Sequence, residues 1–442
     1  MKYENTADIS VAIDFGTSNT VVAIATQDGT VDAIKFSHDD ELLRVYMSAI
    51  CFWEERRDGV AQTRVEGGPW AVDQFVDGVS PHRFIQSFKT FAASRAFQET
   101  WVFRKRFHFE DLLATFLRTL VRHAGSNLDL ARGSIVVGRP VRFAGANPDD
   151  ELAMDRYKKS FAKLGIDRVH YVYEPIGAAF FFARRLSETA TVLVADFGGG
   201  TSDFSVLRFS RDSNGFRAQP LGNAGIGIAG DAFDYRIIDN VVTPKLGKGG
   251  KYRSFGKVLT MPSGYFSNFA RWNQLAMMKV SGELKQIKEL SRLSLDPKPL
   301  MKFIEIVESD LGFALYRAVS ATKTALSSQV ESKFHFQGGG VEILETISRH
   351  DFESWIAPDI ARISRTVDDA LEKAKVVTAD IDRVFLTGGS SFIPAIRAIF
   401  SERFGEARID TGDQFESIAY GLALIGQSHD VANWSVQLHH ND

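Results

Sequence analysis

The sequence predicts an α/β protein built from two similar lobes, and three observations carry that reading. Strand patterns give way along the chain to alternating strand and helix, the order that α/β layers require. Two segments, "IDFGTSN" at 13–19 and "ADFGGGTSD" at 195–203, repeat Asp, one residue, Gly and later Thr after a strand-forming run, which an internal duplication would explain. The 442 residues, 44% hydrophobic and 24% charged, supply apolar surface for more than one core.

The elements follow in order. "ISVAIDFGTSNTVVAIATQDGTVDAIKF" alternates apolar β-branched residues with turn signals and reads as a strand meander. "DLLATFLRTLVRHAGSN" has helical spacing closed by Gly125, "GSIVVGRPV" is a buried strand, and "DELAMDRYKKSFAKLG" is an amphipathic helix closed by Gly165. "VHYVYEPIGAAFFFARRL" reads as strand, turn and helix, and "ATVLVADFGGGTSDFSVLRFSR" repeats the first meander. The second half is helix-rich: "AFDYRIIDNVV", "ALYRAVSATKTALSS" and "DFESWIAPDIARISRTVDDALEKA" carry helical spacing, with Pro358 expected to start or kink the last. "IDRVFLTGGSSFIPAIRAIFSERFG" is strand, Gly-rich turn and helix, and "ESIAYGLALIG" is a closing helix.

These patterns divide the chain into a first lobe at 1–188, a second at 189–410, a closing helix at 411–430 and a frayed tail at 431–442. An insertion at about 245–312 begins with a mobile basic loop, "KLGKGGKYRSFGK", and offers Tyr252, Phe255, Tyr265 and Phe266 as exposed aromatics. The formal charge of -3 argues against nucleic acid and anionic membranes as partners. Cys51 is the only cysteine, which excludes an intramolecular disulfide. No signal peptide and no long apolar run is present, so a soluble, cytoplasmic protein is expected.

Three Gly-rich turns directly follow strands: "DFGTSN" at 14–19, "DFGGGTSD" at 196–203 and "LTGGSSFIP" at 386–394. Such turns are either ordinary tight turns or cradles whose backbone N–H groups approach phosphate without side-chain obstruction. Carboxylates beside phosphate repel it unless a cation intervenes. Asp14 and Asp196 therefore either hold hydrated magnesium or tie down their turns as Asx motifs. Neither a P-loop nor a G-x-G-x-x-G fingerprint occurs, so nucleotide binding would need another architecture.

In order and spacing, "IDFGTSNT", "VADFGGGTSDFSV" and "VFLTGGSSFIPAIRAIF" resemble the three signature segments of the nucleotide-binding domain of DnaK-type, seventy-kilodalton heat-shock chaperones. "VYEPIGAAFFFA", "IAGDAFDYRII" and "SIAYGLAL" agree with the family's flanking segments, and the resemblance covers most of residues 9–428. It implies the actin-like ATPase fold, two ribonuclease-H-like lobes around a cleft that closes on ATP and magnesium. Gly16, Thr17, Ser18 and Asn19 would cradle phosphates from one lobe, and Gly198, Gly199, Gly200 and Thr201 from the other. Asp14 and Asp196 would ligate magnesium through water, Lys89 would face the γ-phosphate, and Glu174 and Asp203 would position the attacking water. Gly230, Lys323, Ser327, Gly388, Gly389, Ser390 and Phe392 would surround the base.

Three positions depart from the family pattern: Ser320 and Thr324 replace its Glu and Arg, and Phe392 stands where an Arg stacks on adenine. The resemblance implies ATP and ADP as ligands and a protein client or co-chaperone as partner. It also implies a chaperone-like ATPase switch without the peptide-binding half. A nucleotide-dependent scaffold with little turnover, a small-molecule kinase and a filament-forming actin relative are the other readings.

Overall fold

The computed structural model describes residues 9–435 apart from 59, 78–80, 146, 187, 213–214, 276–277, 280, 412–415 and 429–430. The chain divides into two compact units. The first comprises residues 1–228, 363–391 and 397–442, and the second residues 229–362 and 392–396.

Two sheets of one topology build the first unit. Strands β1 (Ile9–Phe15), β2 (Asn19–Thr26) and β3 (Val31–Ala33) form the antiparallel meander, and β4 (Ser134–Arg139) and β5 (Val169–Tyr173) extend β1 in parallel, in the order β5-β4-β1-β2-β3. Strands β6 (Ala190–Phe197), β7 (Ser202–Asp212), β8 (Gly215–Ile226), β9 (Arg383–Thr387) and β10 (Ile409–Thr411) repeat that plan as β8-β7-β6-β9-β10. The helices keep the same places in chain order. Helix α1 (Phe109–Ala124) precedes β4, α2 (Asp150–Ala162) joins β4 to β5, and α3 (Glu174–Ala183) follows β5. Helices α4 (Arg349–Ala374), α5 (Pro394–Phe404) and α6 (Ser417–Gln427) do so around β9 and β10. The duplicated motif is thus a duplicated sheet.

Alternation along β1 sends Val11, Ile13 and Phe15 into a core with Phe116 and Leu120 of α1, and Ala12 to the opposite face. That second face, small at Ala12, Ala23 and Ala25, packs with α3, α6 and residues Val192, Val194 and Phe385 of the second sheet. The small side chains let helices approach closely. A Cβ on Gly421 of α6 would fall 1.6 Å from the Gly177 carbonyl oxygen of α3, so the two backbones touch there. Phe182 stacks on Phe385 at 4.1 Å, tying α3 to β9.

The second unit, by itself, holds a helix at Gly230–Ile237, strand pairs at Lys251–Thr260 and Glu331–Ser348, and the long helix Gly312–Ser328. Several expectations are corrected in these two units. The basic segment expected to be a mobile loop forms the hairpin Lys251–Ser254/Lys257–Thr260, with Phe255 fully exposed at its turn. Phe266, expected at the surface, is buried against Phe303, because the helix Ser263–Phe269 turns it inward. Helix α4 runs through Pro358 without starting there. The tail is not wholly frayed: Val431–Trp434 is helical, Trp434 meets Phe180 at 4.8 Å, and Ser435 hydrogen-bonds His170. Residues 436–442 lie outside the described ones. Among the described residues, no helix is long and apolar enough to cross a membrane.

Candidate functional site

The site begins at two hairpins with one geometry. In the β1–β2 turn the Gly16 N–H donates to the Asn19 carbonyl at 3.0 Å, and in the β6–β7 turn the Gly198 N–H donates to the Thr201 carbonyl at 3.0 Å. A Cβ at Gly16 would meet the Asn19 oxygen at 2.3 Å, so this turn needs glycine. The turns face one another, since a Cβ on Gly200 would lie 3.2 Å from the Thr17 hydroxyl. Ser48 braces the first turn: its hydroxyl donates to the Gly16 carbonyl at 2.7 Å and its N–H to the Ser18 carbonyl.

Acids line the strand ends beside these turns. Asp14 and Asp196 each stand one residue before the end of their strands, and Asp203 pairs across from Asp196 in register. Glu174 opens α3, where the partial positive charge of a helix start favours a carboxylate. Gly138 leaves room for two of these acids: a Cβ there would sit 3.1 Å from Glu174 Cγ and 3.6 Å from Asp14 Oδ1.

Lys89 answers the acids. Ser87, left-handed at φ 54, turns the chain out of the strand His82–Gln86 into the short turn Phe88–Phe91. Holding serine there costs about 1–3 kcal/mol, and the turn delivers Lys89 Nζ to Glu174 Oε1 at 2.7 Å with both side chains buried. Burial opposes the lysine's charge, yet Glu174, then Tyr157 and Asp14, outweigh it and hold the ammonium above its ordinary range.

The remaining acids pay the desolvation. Burial, then Glu174, pushes the Asp14 carboxyl up to about 7 against the pull of Lys89. Asp203 is likewise pushed up to about 7 by burial and then Glu174. Burial also raises Asp196 well above the ordinary carboxylate range, aided by Glu174, Asp14 and Asp203. Asp203 Oδ1 accepts from the Val141 and Arg142 amides at 2.8 and 3.2 Å, whereas its buried Oδ2 has no hydrogen-bond partner. An orphaned carboxylate oxygen within a ring of mutually repelling acids fits a site that takes up a cation and ordered water.

The structure therefore brings Asp14, the 16–19 turn, Lys89, Glu174, Asp196, the 198–201 turn and Asp203 together in the first unit. Gly388, Gly389 and Ser390 belong to that unit too. Gly388, at φ +82, lies so close to β6 that a Cβ would fall 2.1 Å from the Phe197 oxygen. Gly230, Lys323, Ser327 and Phe392 belong to the second unit. There Lys323 pairs with Asp234 at 2.8 Å and donates to the Gly230 carbonyl, Ser327 bonds back to the Lys323 carbonyl, and Phe392 is exposed.

Two buried polar side chains on β4 and α2 fall outside the residues that the sequence singles out. Arg139, at the end of β4, is buried with its guanidinium 5.1 Å from the Tyr173 ring, and Nε donates to the Pro140 carbonyl. The buried Tyr157 hydroxyl has no hydrogen-bond partner and sits in the field of Lys89. The "GRPVRF" run after a buried strand was the available signal for Arg139; Tyr157 looks like any core residue of a helix.

Two sheets of this plan, with an Asp-x-Gly turn on the leading strand of each, define the actin-like ATPase fold. The family model described as Hsp70 protein matches residues 309–436. The chain is 25% identical over 451 residues to the chaperone protein DnaK of Thermus thermophilus, covering 96% of this chain and 62% of that protein. DnaK of Deinococcus deserti is 25% identical over 71% of this chain and 42% of its own length. The stromal 70 kDa heat shock-related protein of Spinacia oleracea is 25% identical over 72% of this chain and 44% of its own. Over most of its length the chain is similar to DnaK-type, seventy-kilodalton heat-shock chaperones, and it spans about half the length of the curated relatives it matches.

Proposed function

We propose that this chain binds ATP with magnesium, hydrolyses it, and uses the cycle as a chaperone-like switch acting on a protein client or co-chaperone in the cytoplasm. The observation that carries this reading is the buried Lys89–Glu174 pair set among Asp14, Asp196 and Asp203 beside two facing Gly turns. The turns donate backbone N–H groups to phosphate, with Thr201 at the γ-phosphate, and Lys89 offsets the charge that builds there. Glu174 and Asp203 orient the attacking water by accepting its protons in hydrogen bonds. Magnesium, held through water by Asp14 and Asp196, would supply charge neutralisation. Phosphoryl transfer asks a protein chiefly for such alignment and neutralisation.

Single-turnover hydrolysis and ATP binding with magnesium test this in the wild type, Lys89→Ala, Glu174→Gln and Asp203→Asn. Binding is expected to persist in the Lys89 and Glu174 variants while hydrolysis is lost, a drop of about a hundredfold or more. Wild-type binding without turnover would favour a nucleotide-dependent scaffold. That second reading is supported by Ser320, Thr324 and the exposed Phe392 at the base-facing positions. Absence of nucleotide binding would remove both.

A further inference from the structure

We infer that the first unit carries a second binding site, separate from the phosphate ring, for a small amphipathic carboxylate. A cavity of about 400 Å³ opens between the strand pair Ala49–Gly67 and α1, and none of its lining residues belongs to the site described above. Its volume falls in the range of small-molecule sites. Phe52, Val65 and Phe107 form an apolar wall, and the rings of Phe52 and Phe107 stand 5.0 Å apart at 57°. Lys105, Arg118 and Arg122 stand around that wall.

The charges decide the ligand. Arg122 is engaged by Glu66, which neutralises one of the three cations. Arg118 gives one N–H to the Lys163 carbonyl at 2.7 Å, and no carboxylate pairs with it or with Lys105 among the described residues. Two uncompensated cations beside an apolar wall favour an anion with an apolar body over a neutral or cationic ligand. The guanidinium fork of Arg118 suits a carboxylate, which it can bind through two parallel N–H donors. The apolar body, a short alkyl chain or an aromatic ring, would lie against the two phenylalanines.

The probe is octanoate, titrated calorimetrically into the full chain without nucleotide, so that the result is independent of the ATPase reading. Saturable binding is expected, about tenfold weaker or worse in the Lys105→Gln/Arg118→Gln double variant. Val65→Trp should abolish binding by filling the cavity. Both cations are exposed, so the double variant should keep the wild-type melting temperature even if Val65→Trp does not fold. The inference is overturned if wild type fails to bind octanoate at about 10 mM, a concentration weaker than any specific site needs. It is also overturned if the double variant binds unchanged, if 1-octanol binds as well, or if octyl phosphate binds more tightly.

Discussion

The two halves of the first unit share strand order and the turn bond, but not their chemistry. Across from Asp14 the meander places Val21, whereas across from Asp196 it places Asp203. At the head of α3 stands Glu174, ion-paired with Lys89 beside Gly138. At the head of α6 stands Ser417, whose hydroxyl meets Thr387, the β9 neighbour of Asp196, at 3.2 Å in a buried neutral pair. The geometry thus occurs twice while the ionisable groups are divided: the lysine and its glutamate lie in one half, the facing aspartates in the other.

Breaking the charged half should cost most. Lys89→Met leaves Glu174 buried and unpaired amid three further acids, and is expected to destabilise by about 3–5 kcal/mol, read as a shift in the urea midpoint. A loss under about 1 kcal/mol would mean that water already screens the pair. Next comes the contact between the halves. Gly421→Ala drives a methyl into the Gly177 carbonyl, and overpacking of this kind costs about 1–3 kcal/mol. The neutral Thr387–Ser417 hydroxyl pair should be the most tolerant, with Ser417→Ala costing about 1 kcal/mol by the same measurement. An effect equal to that of Lys89→Met would erase the contrast.

The last prediction concerns sign more than size. Asp203 titrates at about 7 in the fold, against about 4 for an unfolded aspartate. Between those values the folded state binds more protons, so this carboxyl's contribution to stability falls as pH rises through the window and levels above it. Without magnesium, Asp203→Asn should therefore match the wild type near pH 4 and exceed it at pH 8. The opposite crossing in pH-dependent unfolding would place a compensating cation at Oδ2 even in the apo protein.

The backbone of this site was legible in the sequence and its pairings were not. Asp14, Asp196 and the glycines announce themselves because a tight turn after a strand demands local residue types. Lys89 and Glu174 are 85 residues apart, and their contact depends on the left-handed Ser87 and on how α3 meets the first sheet. No local pattern encodes that. The hairpin at 251–260 is hidden in the sequence because a Lys- and Gly-rich composition resembles a loop, although Lys251 to Ser254 pair in register with Lys257 to Thr260. Phe266 lies in a run whose composition suggests the surface, and only the helix Ser263–Phe269 turns it inward.

Gly388 carries a consequence for measurement at the molecular scale. With hydrogen in place of a side chain, the third turn rests directly on the backbone of Phe197, one residue past Asp196. No compressible side chain separates them, so the spacing between these two turns is fixed as on a ruler. Any ligand that touched both turns would meet them at one fixed separation.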